Sequence, residues 1–182
     1  SRVGIFLADG FEEIEGLTVV DILRRAGIDI SMISINGKKK VTGAHGIALD
    51  TDEDIVQCDP DKLDMLVLPG GMPGTTNLAA CEKLTEALKK ADQEKRGIAA
   101  ICAAPSVLGD LGFLKGKKAV CYPGFESRLT GAEVLAVPVV TDGHITTSRG
   151  MGTAIAFALE LTKRLKDEET AKQVGRSILY NV

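Results

Sequence analysis

Apolar and polar residues fall into blocks along this chain, and the length and period of each block predict a secondary-structure element. Residues 3–10 (VGIFLADG) form a continuous apolar run ending in Asp-Gly, which is typical of a strand buried on both faces of a parallel sheet. From residue 13 to residue 26 apolar side chains recur every three or four positions, the period of a helix, and Gly27 follows as a C-cap. The pattern predicts a strand followed by a crossover helix.

The same alternation continues to the end of the chain, and it is typical of an α/β protein with a mostly parallel sheet. The segment 38–55 predicts a hairpin or two short strands, with its lysine run on a solvated edge. A strand ending in a glycine turn is predicted at residues 64–71, and Asp142-Gly143 joins the last two predicted strands. The other predicted strands are 28–35, 97–102, 118–122, 136–140 and 144–149, and the other predicted helices are 81–93, 103–111, 152–165 and 167–180.

Length and charge narrow the possible functions. A chain of 182 residues is long enough to bury one core, so we expect a single domain over residues 1–182. Its 22 Lys and Arg and 25 Asp and Glu are interspersed and give a net charge of −3, which argues against a nucleic-acid partner. The apolar stretches fall short of the roughly 20 residues of a membrane helix, and early acids interrupt any signal-like segment. We expect a cytoplasmic protein without a membrane partner.

Cysteine and glycine patterns argue against a metal or an organic cofactor. Cys58, Cys81, Cys102 and Cys121 are scattered without the close pairs of zinc sites or redox dithiols, so we expect four free thiols. With only two histidines in the chain, a metal centre would need distant positions. The glycine-rich stretches match neither a Walker loop nor a dinucleotide fingerprint. We therefore expect no metal and no cofactor.

Cys102 lies where a predicted strand turns into a helix, and ligands of open α/β sheets bind at such strand ends. Alanines surround it at positions 99, 100, 103 and 104, and small neighbours are what a nucleophile on a sharp turn requires. The helix dipole and free backbone N–H groups there favour a thiolate. The other interpretation is that Cys102 fills space at the end of a core strand, as we expect for the other three cysteines. The residues alone leave both interpretations open.

Acids and glycines at two other strand ends give further candidates. The helix dipole is sufficient to explain Glu12 and Glu13, whereas Glu15 adjoins the apolar stripe and can tilt toward the strand ends as a general acid with a raised pKa. A solvated surface position is the alternative for Glu15. The N–H groups of Gly70 and Gly71 can form an oxyanion hole, or these glycines can form a plain turn.

Four segments taken together resemble the ThiJ/PfpI superfamily, in the branch that contains the parkinsonism-associated protein deglycase. They are DGFEEIEGLTVVDILRRAGI, VLPGGMPGTTNL, IAAICAAPSVL and TTSRGMGTAIAFALEL, and they span almost the whole chain in the same order. The resemblance implies a flavodoxin-like three-layer α/β sandwich, usually a homodimer.

The resemblance also implies roles for individual residues. Cys102 corresponds to the reactive, oxidation-prone nucleophile of the family, and Glu15 to the acid that hydrogen-bonds its sulfur. The N–H groups of Gly71 and Ala103 correspond to the oxyanion pocket. Two arginines, Arg25 and Arg149, correspond to arginines near the dimer interface and pocket.

Two departures from the family pattern bear on the chemistry. Ala103 follows the cysteine where peptidases of the superfamily carry histidine, which argues against a peptidase. Tyr122 stands where the deglycase branch often has histidine, and a phenol with a reference pKa of about 10 is a poor base at pH 7. His45 can reach a pocket across a dimer interface, and His144 is expected on an exposed hairpin turn.

These observations predict cysteine-dependent detoxification of small reactive carbonyls, of the glutathione-independent glyoxalase or deglycase type. The substrate is expected to be a small aldehyde or a glycated adduct, attacked by the Cys102 thiolate. The alternative is a protein that senses or protects against oxidative stress, in which Cys102 is oxidised to a sulfinic acid.

Overall fold

A seven-stranded sheet forms the centre of the computed structural model, which describes residues 1–181. The strands are β1 (Arg2–Leu7), β2 (Asp29–Ser34), β3 (Lys40–Thr42), β4 (Ala48–Asp50), β5 (Glu53–Asp54), β6 (Met65–Leu68), β7 (Gly97–Ile101), β8 (Lys118–Ala119), β9 (Glu133–Val134), β10 (Val139–Asp142) and β11 (Ile145–Ser148). The helices are α1 (Glu13–Arg25), α2 (Gly74–Ala80), α3 (Glu82–Gln93), α4 (Pro105–Asp110), α5 (Ala154–Leu165) and α6 (Glu168–Ser177).

The strands of the main sheet run in the order β10-β11-β7-β6-β1-β2-β5, and every neighbouring pair is parallel except β10 and β11. Strands buried on both faces are expected where helices cover both sides of a parallel sheet. One face packs against α1, α5 and α6 through residues such as Leu23, Phe157 and Val174, and the other packs against α3 and α4 through Leu88 and Leu108. The predicted three-layer α/β sandwich with a mostly parallel sheet is confirmed.

The sheet topology brings four loops to one edge. Strands β1, β6, β7 and β11 are mutually parallel neighbours, so their carboxyl ends lie together. The loops that follow them contain the DGFEE, PGGMP, CAA and RGM stretches. Because ligands of open α/β sheets bind outside these strand ends, the candidate site is expected there.

Most predicted elements are present, and three of the differences have a local physical reason. Helix α2 was not predicted, because its Gly74-Thr75-Thr76 start has low helix propensity. The strand predicted at 118–122 is limited to Lys118–Ala119, since the Val120 N–H bonds instead to the Thr147 hydroxyl at 3.0 Å. The last helix ends at Ser177 rather than residue 180, and Leu179, which the predicted helix would include, is 76% exposed.

Within residues 1–181, no helix combines the length and the apolar character needed to cross a membrane.

Candidate active site

Cys102 directly follows β7 and adopts a left-handed backbone conformation with φ of +67°. This region is sparsely populated by residues other than glycine and costs on the order of 1–3 kcal/mol. Long-range backbone bonds hold the residue there: its N–H donates to the Ser148 carbonyl at 2.9 Å, and its carbonyl accepts from the Tyr122 N–H at 2.8 Å. The thiol is therefore fixed on a strained turn between strand and helix.

Gly70 and Gly71 allow the loop after β6 to approach this turn closely. A Cβ on Gly70 would lie 2.6 Å from the Cys102 Cβ and 2.7 Å from a carboxyl oxygen of Glu15. A Cβ on Gly71, whose φ is +92°, would lie 2.3 Å from the Glu12 backbone nitrogen. Glycine is therefore required at both positions by space, and at Gly71 also by backbone conformation.

The Cys102 sulfur has three hydrogen-bonding neighbours. They are the Glu15 carboxyl and the backbone N–H groups of Gly71 and Ala103. Cys102 itself is partly exposed, so small molecules can reach the thiol. Three polar neighbours around an accessible sulfur distinguish Cys102 from a space-filling cysteine.

Glu15 lies on the buried face of α1 and is only 1% exposed. One carboxyl oxygen accepts the Gly70 N–H at 3.0 Å, and the carboxyl also bonds to the Cys102 sulfur. The alternative of a solvated surface acid is therefore excluded. In this structure the Gly70 N–H is hydrogen-bonded to Glu15, and the oxyanion roles of Gly70, Gly71 and Ala103 stay predictions.

Burial dominates the electrostatics of the Glu15–Cys102 pair. It raises the pKa of Glu15 to about 7, aided by the Glu12 charge and opposed by the bonds to Cys102 and Gly70. Burial, followed by the Glu15 charge and hydrogen bond, raises the pKa of the Cys102 thiol to about 12, although the N–H groups of Ala103 and Gly71 lower it. The N–H groups thus favour the thiolate, as expected, but burial and the Glu15 charge outweigh them.

The raised pKa of Glu15 changes what the pair can do. When Glu15 is protonated, its charge no longer opposes the thiolate, and its O–H can donate to the sulfur. Near neutral pH Glu15 is therefore partly protonated, and it can act as acid or base beside the thiol.

Tyr122 and Arg149 lie beside this centre. The Tyr122 side chain is exposed, and its ring carbon Cδ2 is 3.4 Å from the place a Cβ on Gly150 would take. Arg149 follows β11, and its charge lowers the pKa of the Cys121 thiol, which burial and Glu126 raise to about 11. Both residues thus lie at the strand ends as predicted, and their chemical roles stay predictions.

His45 lies on the turn between β3 and β4 and contacts the start of α1. Its Nδ1 is 3.1 Å from a Glu12 carboxyl oxygen and 3.0 Å from Oε1 of Glu13. The Oε2 atom of Glu13 accepts the backbone N–H groups of His45 and Ile47, at 2.9 and 3.2 Å. One nitrogen of His45 and one carboxylate oxygen each of Glu12 and Glu13 lie within 4.8 Å of one another, because the His45 ring contacts both carboxylates.

Glu13 is a structural residue that sequence reasoning missed. Its side chain is only 3% exposed, whereas the helix dipole alone gave Glu13 no buried partner. A Cβ on Gly43 would lie 2.3 Å from the Glu13 carboxyl carbon, so the hairpin can close over this acid only with glycine there. Such a contact between distant segments leaves no periodic signal in the sequence.

Arg25 and His144 lie away from the thiol. Arg25 is ten residues beyond Glu15 on α1, about 15 Å along the helix, and pairs with Asp21. His144 is not on an exposed turn as predicted: its side chain is 9% exposed, and Nε2 is 2.7 Å from Asp92 of α3. The β10–β11 turn therefore folds onto α3, at the opposite end of the strands from Cys102.

All four cysteines are free thiols, as predicted. Cys58 and Cys121 are buried, which agrees with a space-filling role, and Cys81 is partly exposed. Burial raises the pKa of the Cys58 thiol to about 11.

Comparison with known proteins identifies the family. Residues 1–164 match the DJ-1/PfpI family. A protein named deglycase from Pyrococcus abyssi is 34% identical over 167 residues, covering 91% of this chain and 99% of its own. The Arabidopsis thaliana protein DJ-1 homolog B is 38% identical over 176 residues, covering 96% of this chain; the match spans 40% of the plant protein.

A solved structure agrees with this assignment. Toxoplasma gondii DJ-1, described as oxidized, superposes with a TM-score of 0.95 at 35% identity, over 100% of this chain and 99% of its own. The sequence match and the superposition both extend over the strand ends where Cys102 and Glu15 lie. This chain belongs to the DJ-1/PfpI family.

Proposed function

We propose that the chain removes small reactive carbonyls, with Cys102 as the nucleophile. The observation that carries this proposal is the position of the Cys102 sulfur on a strained turn, where it is hydrogen-bonded to Glu15 and to two backbone N–H groups. Glu15 is buried, and its pKa is about 7. A thiol beside a tuned acid–base group is the arrangement that nucleophilic catalysis requires. The relative named deglycase supports the same class of chemistry.

The first step adds the thiol to an aldehyde such as methylglyoxal. Ionised Glu15 takes the thiol proton, the sulfur forms a bond to the aldehyde carbon, and the carbonyl electron pair moves to oxygen. The N–H groups of Gly71 and Ala103 stabilise the oxyanion. Glu15 then returns its proton to that oxygen, which gives a hemithioacetal.

The second step converts the hemithioacetal into a hydroxy acid. Glu15 removes the hydrogen from the former aldehyde carbon as a proton, an enediol forms, and protonation of the adjacent carbon gives a thioester. One carbon is oxidised and its neighbour reduced, so no external redox partner is needed. Water then cleaves the thioester and releases the hydroxy acid and the Cys102 thiol. Tyr122, at the mouth of the site, donates a hydrogen bond to the substrate.

The same site accommodates a glycated adduct, because an early adduct carries the same carbonyl-derived carbon.

The proposal also includes a homodimer with the α1 face at its interface. Ile14 and Leu17 of α1 are apolar but 50% and 37% exposed. Exposed apolar side chains on one face are typical of an interaction surface. The cytoplasmic location stays a prediction.

The test measures conversion of methylglyoxal to lactate by NMR, in phosphate buffer without glutathione or amines. Lysines and arginines of the chain form stoichiometric adducts with methylglyoxal, so lactate must exceed the protein concentration to count as turnover. We expect Cys102→Ser to lose at least ~100-fold in rate, because it removes the nucleophile. Cys81→Ser, which alters another partly exposed cysteine, retains the wild-type rate. Equal rates for wild type and Cys102→Ser, or no lactate from either, contradict the proposal.

A second candidate is a sensor of peroxide, favoured by the donors around the sulfur and by the oxidized state of the Toxoplasma relative. Each of two peroxide molecules transfers one oxygen atom to the Cys102 thiolate and leaves as water, which gives a sulfinate. Gly71, Ala103 and protonated Glu15 can donate to its oxygens.

This candidate predicts selective oxidation. After mild peroxide treatment, peptide mass spectrometry should find two added oxygens at Cys102 and few at Cys58, Cys81 or Cys121. Glu15→Leu removes one donor and is expected to lower the sulfinate yield severalfold. Uniform oxidation of the four cysteines, or an unchanged yield in Glu15→Leu, counts against this role.

A further inference from the structure

His45 carries a side chain that is 69% exposed yet meets two carboxylates through a single ring nitrogen, Nδ1. Both acids come from the start of α1, which also carries Glu15. The charged groups that face His45 are Glu12 and Glu13. The titratable groups that face Glu15 are Cys102 and Glu12. Among the residues that the structure describes, Glu12 is the acid that faces both the surface histidine and the buried acid of the site.

The frame that holds His45 is made of main-chain bonds. The β3–β4 hairpin is fixed to the loop after β1 by two of them: the Gly10 N–H donates to Thr42 and the Ala44 N–H to Phe11, both at 2.8 Å. The buried Glu13 carboxylate adds the bonds to His45 and Ile47 described above. The imidazole is thus held against the acids by a docked hairpin rather than by a free surface loop.

Glu12 connects this frame to the candidate active site. Its backbone N–H donates to the Gly70 carbonyl at 2.8 Å, next to the Gly70 N–H that bonds Glu15. Glu12 is the N-cap of α1, and its Oε1 atom accepts the Ile14 N–H at 3.4 Å, which holds its carboxylate at the end of the helix that carries Glu15 in its first turn. The Glu12 charge raises the pKa of Glu15, so any charge that offsets Glu12 acts in the opposite direction.

We propose that His45 is a positioning residue whose protonation state sets how readily Glu15 gives up its proton. The imidazolium offsets the Glu12 charge, and the neutral imidazole leaves that charge facing Glu15. The exposed hairpin thereby becomes the pH-sensitive regulator of a buried acid–base group.

The sign of the effect follows from the charges. The hydrogen bond to Glu13, and then the charges of Glu12 and Glu13, raise the pKa of His45 above its ordinary value of 6.5, so the imidazolium persists to higher pH. As pH rises through that raised pKa, the positive charge is lost and the pKa of Glu15 increases. Glu15 therefore keeps its proton over a wider pH range than it would beside a permanent cation.

The experiment follows the side-chain carboxyl carbon of Glu15 by NMR in protein labelled with carbon-13 at glutamate, with Glu15→Gln used to assign the signal. His45→Arg keeps a positive charge at every pH, and His45→Gln keeps none. We expect the Glu15 midpoint to be lower in His45→Arg than in His45→Gln by roughly half a pH unit, as for a charge that solvent partly screens. Wild type should follow the arginine variant at low pH and the glutamine variant at high pH.

Two controls separate this route from a structural effect. Glu12→Gln removes the charge that raises the pKa of Glu15, so it should lower the Glu15 midpoint by itself, in the same direction as His45→Arg. His144→Gln, which removes a distant histidine, should leave the Glu15 midpoint unchanged. Samples contain a chelator so that no cation replaces the proton on His45. If a His45 variant fails to fold, His45→Lys and His45→Asn provide the same comparison.

Equal Glu15 midpoints in the charged and neutral variants overturn the proposal, and so does an unchanged Glu15 midpoint in Glu12→Gln. The Glu15 titration does not require turnover. A protein that fails to convert methylglyoxal therefore removes the proposed carbonyl chemistry and still gives a definite answer on His45.

Discussion

At the scale of single residues, Glu15 is an acid that occupies a core position, and its burial determines the acid–base behaviour of the candidate site. Its carboxyl is 1% exposed and has one backbone N–H and one sulfur as hydrogen-bonding partners. Two partners do not replace the hydration of a carboxylate, so burial raises its pKa from 4.5 to about 7. The free-energy cost of ionising the buried Glu15 makes the stability of the folded protein depend on pH.

Wild type should lose stability relative to Glu15→Gln as pH rises from about 4.5 to 7. In this window the unfolded chain has released the proton while the folded chain still binds it, so the free energy of unfolding decreases with pH. The full shift corresponds to roughly 3 kcal/mol. Urea unfolding of both proteins at several pH values measures the difference.

Glu86→Gln is the matched control, since this acid of α3 is 76% exposed and its substitution should leave the pH dependence unchanged. A constant difference between wild type and Glu15→Gln across the whole pH range would show that Glu15 ionises freely in the folded protein.

At the scale of elements, α1 shows what the sequence could predict and what it could not. Its apolar period predicted a helix over residues 13–26, and the structure has one at Glu13–Arg25. The same period placed Glu15 beside the buried stripe but gave no partner for it. That partner, Gly70, is 55 residues away in the chain, and only the packing of α1 against the strand ends brings it close.

Elements with weak local signals were the ones that sequence reasoning missed or shortened. Helix α2 has low intrinsic propensity and depends on tertiary contacts, such as Leu78 in the core. The segment after β8 leaves the sheet because the Tyr122 N–H bonds to the carbonyl of Cys102 instead of to a neighbouring strand. In both cases contacts between distant segments outweighed local pattern.

At the scale of the whole molecule, the sheet runs from Arg2 in β1 to Ser148 in β11, and helices cover both faces. A single domain over residues 1–182 stays a prediction, with residue 182 outside the described residues. The α1 face bears the exposed apolar residues of the proposed homodimer, and beside it Leu17, Ile155 and Ile178 line a groove of about 360 Å³.

Light scattering should give twice the mass of the 19.2 kDa chain. Leu17→Glu is expected to shift the protein toward monomer, because it places a charge in an apolar interface. Leu179→Glu is the control: Leu179 is 76% exposed and lies outside the α1 face, so this variant should remain dimeric. A wild-type monomer, or a dimer that tolerates Leu17→Glu, contradicts the proposal for this interface.

The sequence by itself determined the α/β class, nearly all the strands and helices, and the strand ends at which chemistry was expected, because hydrophobic period and turn residues are local properties of the chain. It also placed Cys102 at the elbow after β7. Only the tertiary structure decided that Glu15 is buried against Gly70, that Glu13 is covered by the hairpin and that His144 pairs with Asp92. These contacts join residues 32 to 55 positions apart, and the pKa of a buried acid depends on the solvent and charges that such contacts remove or supply.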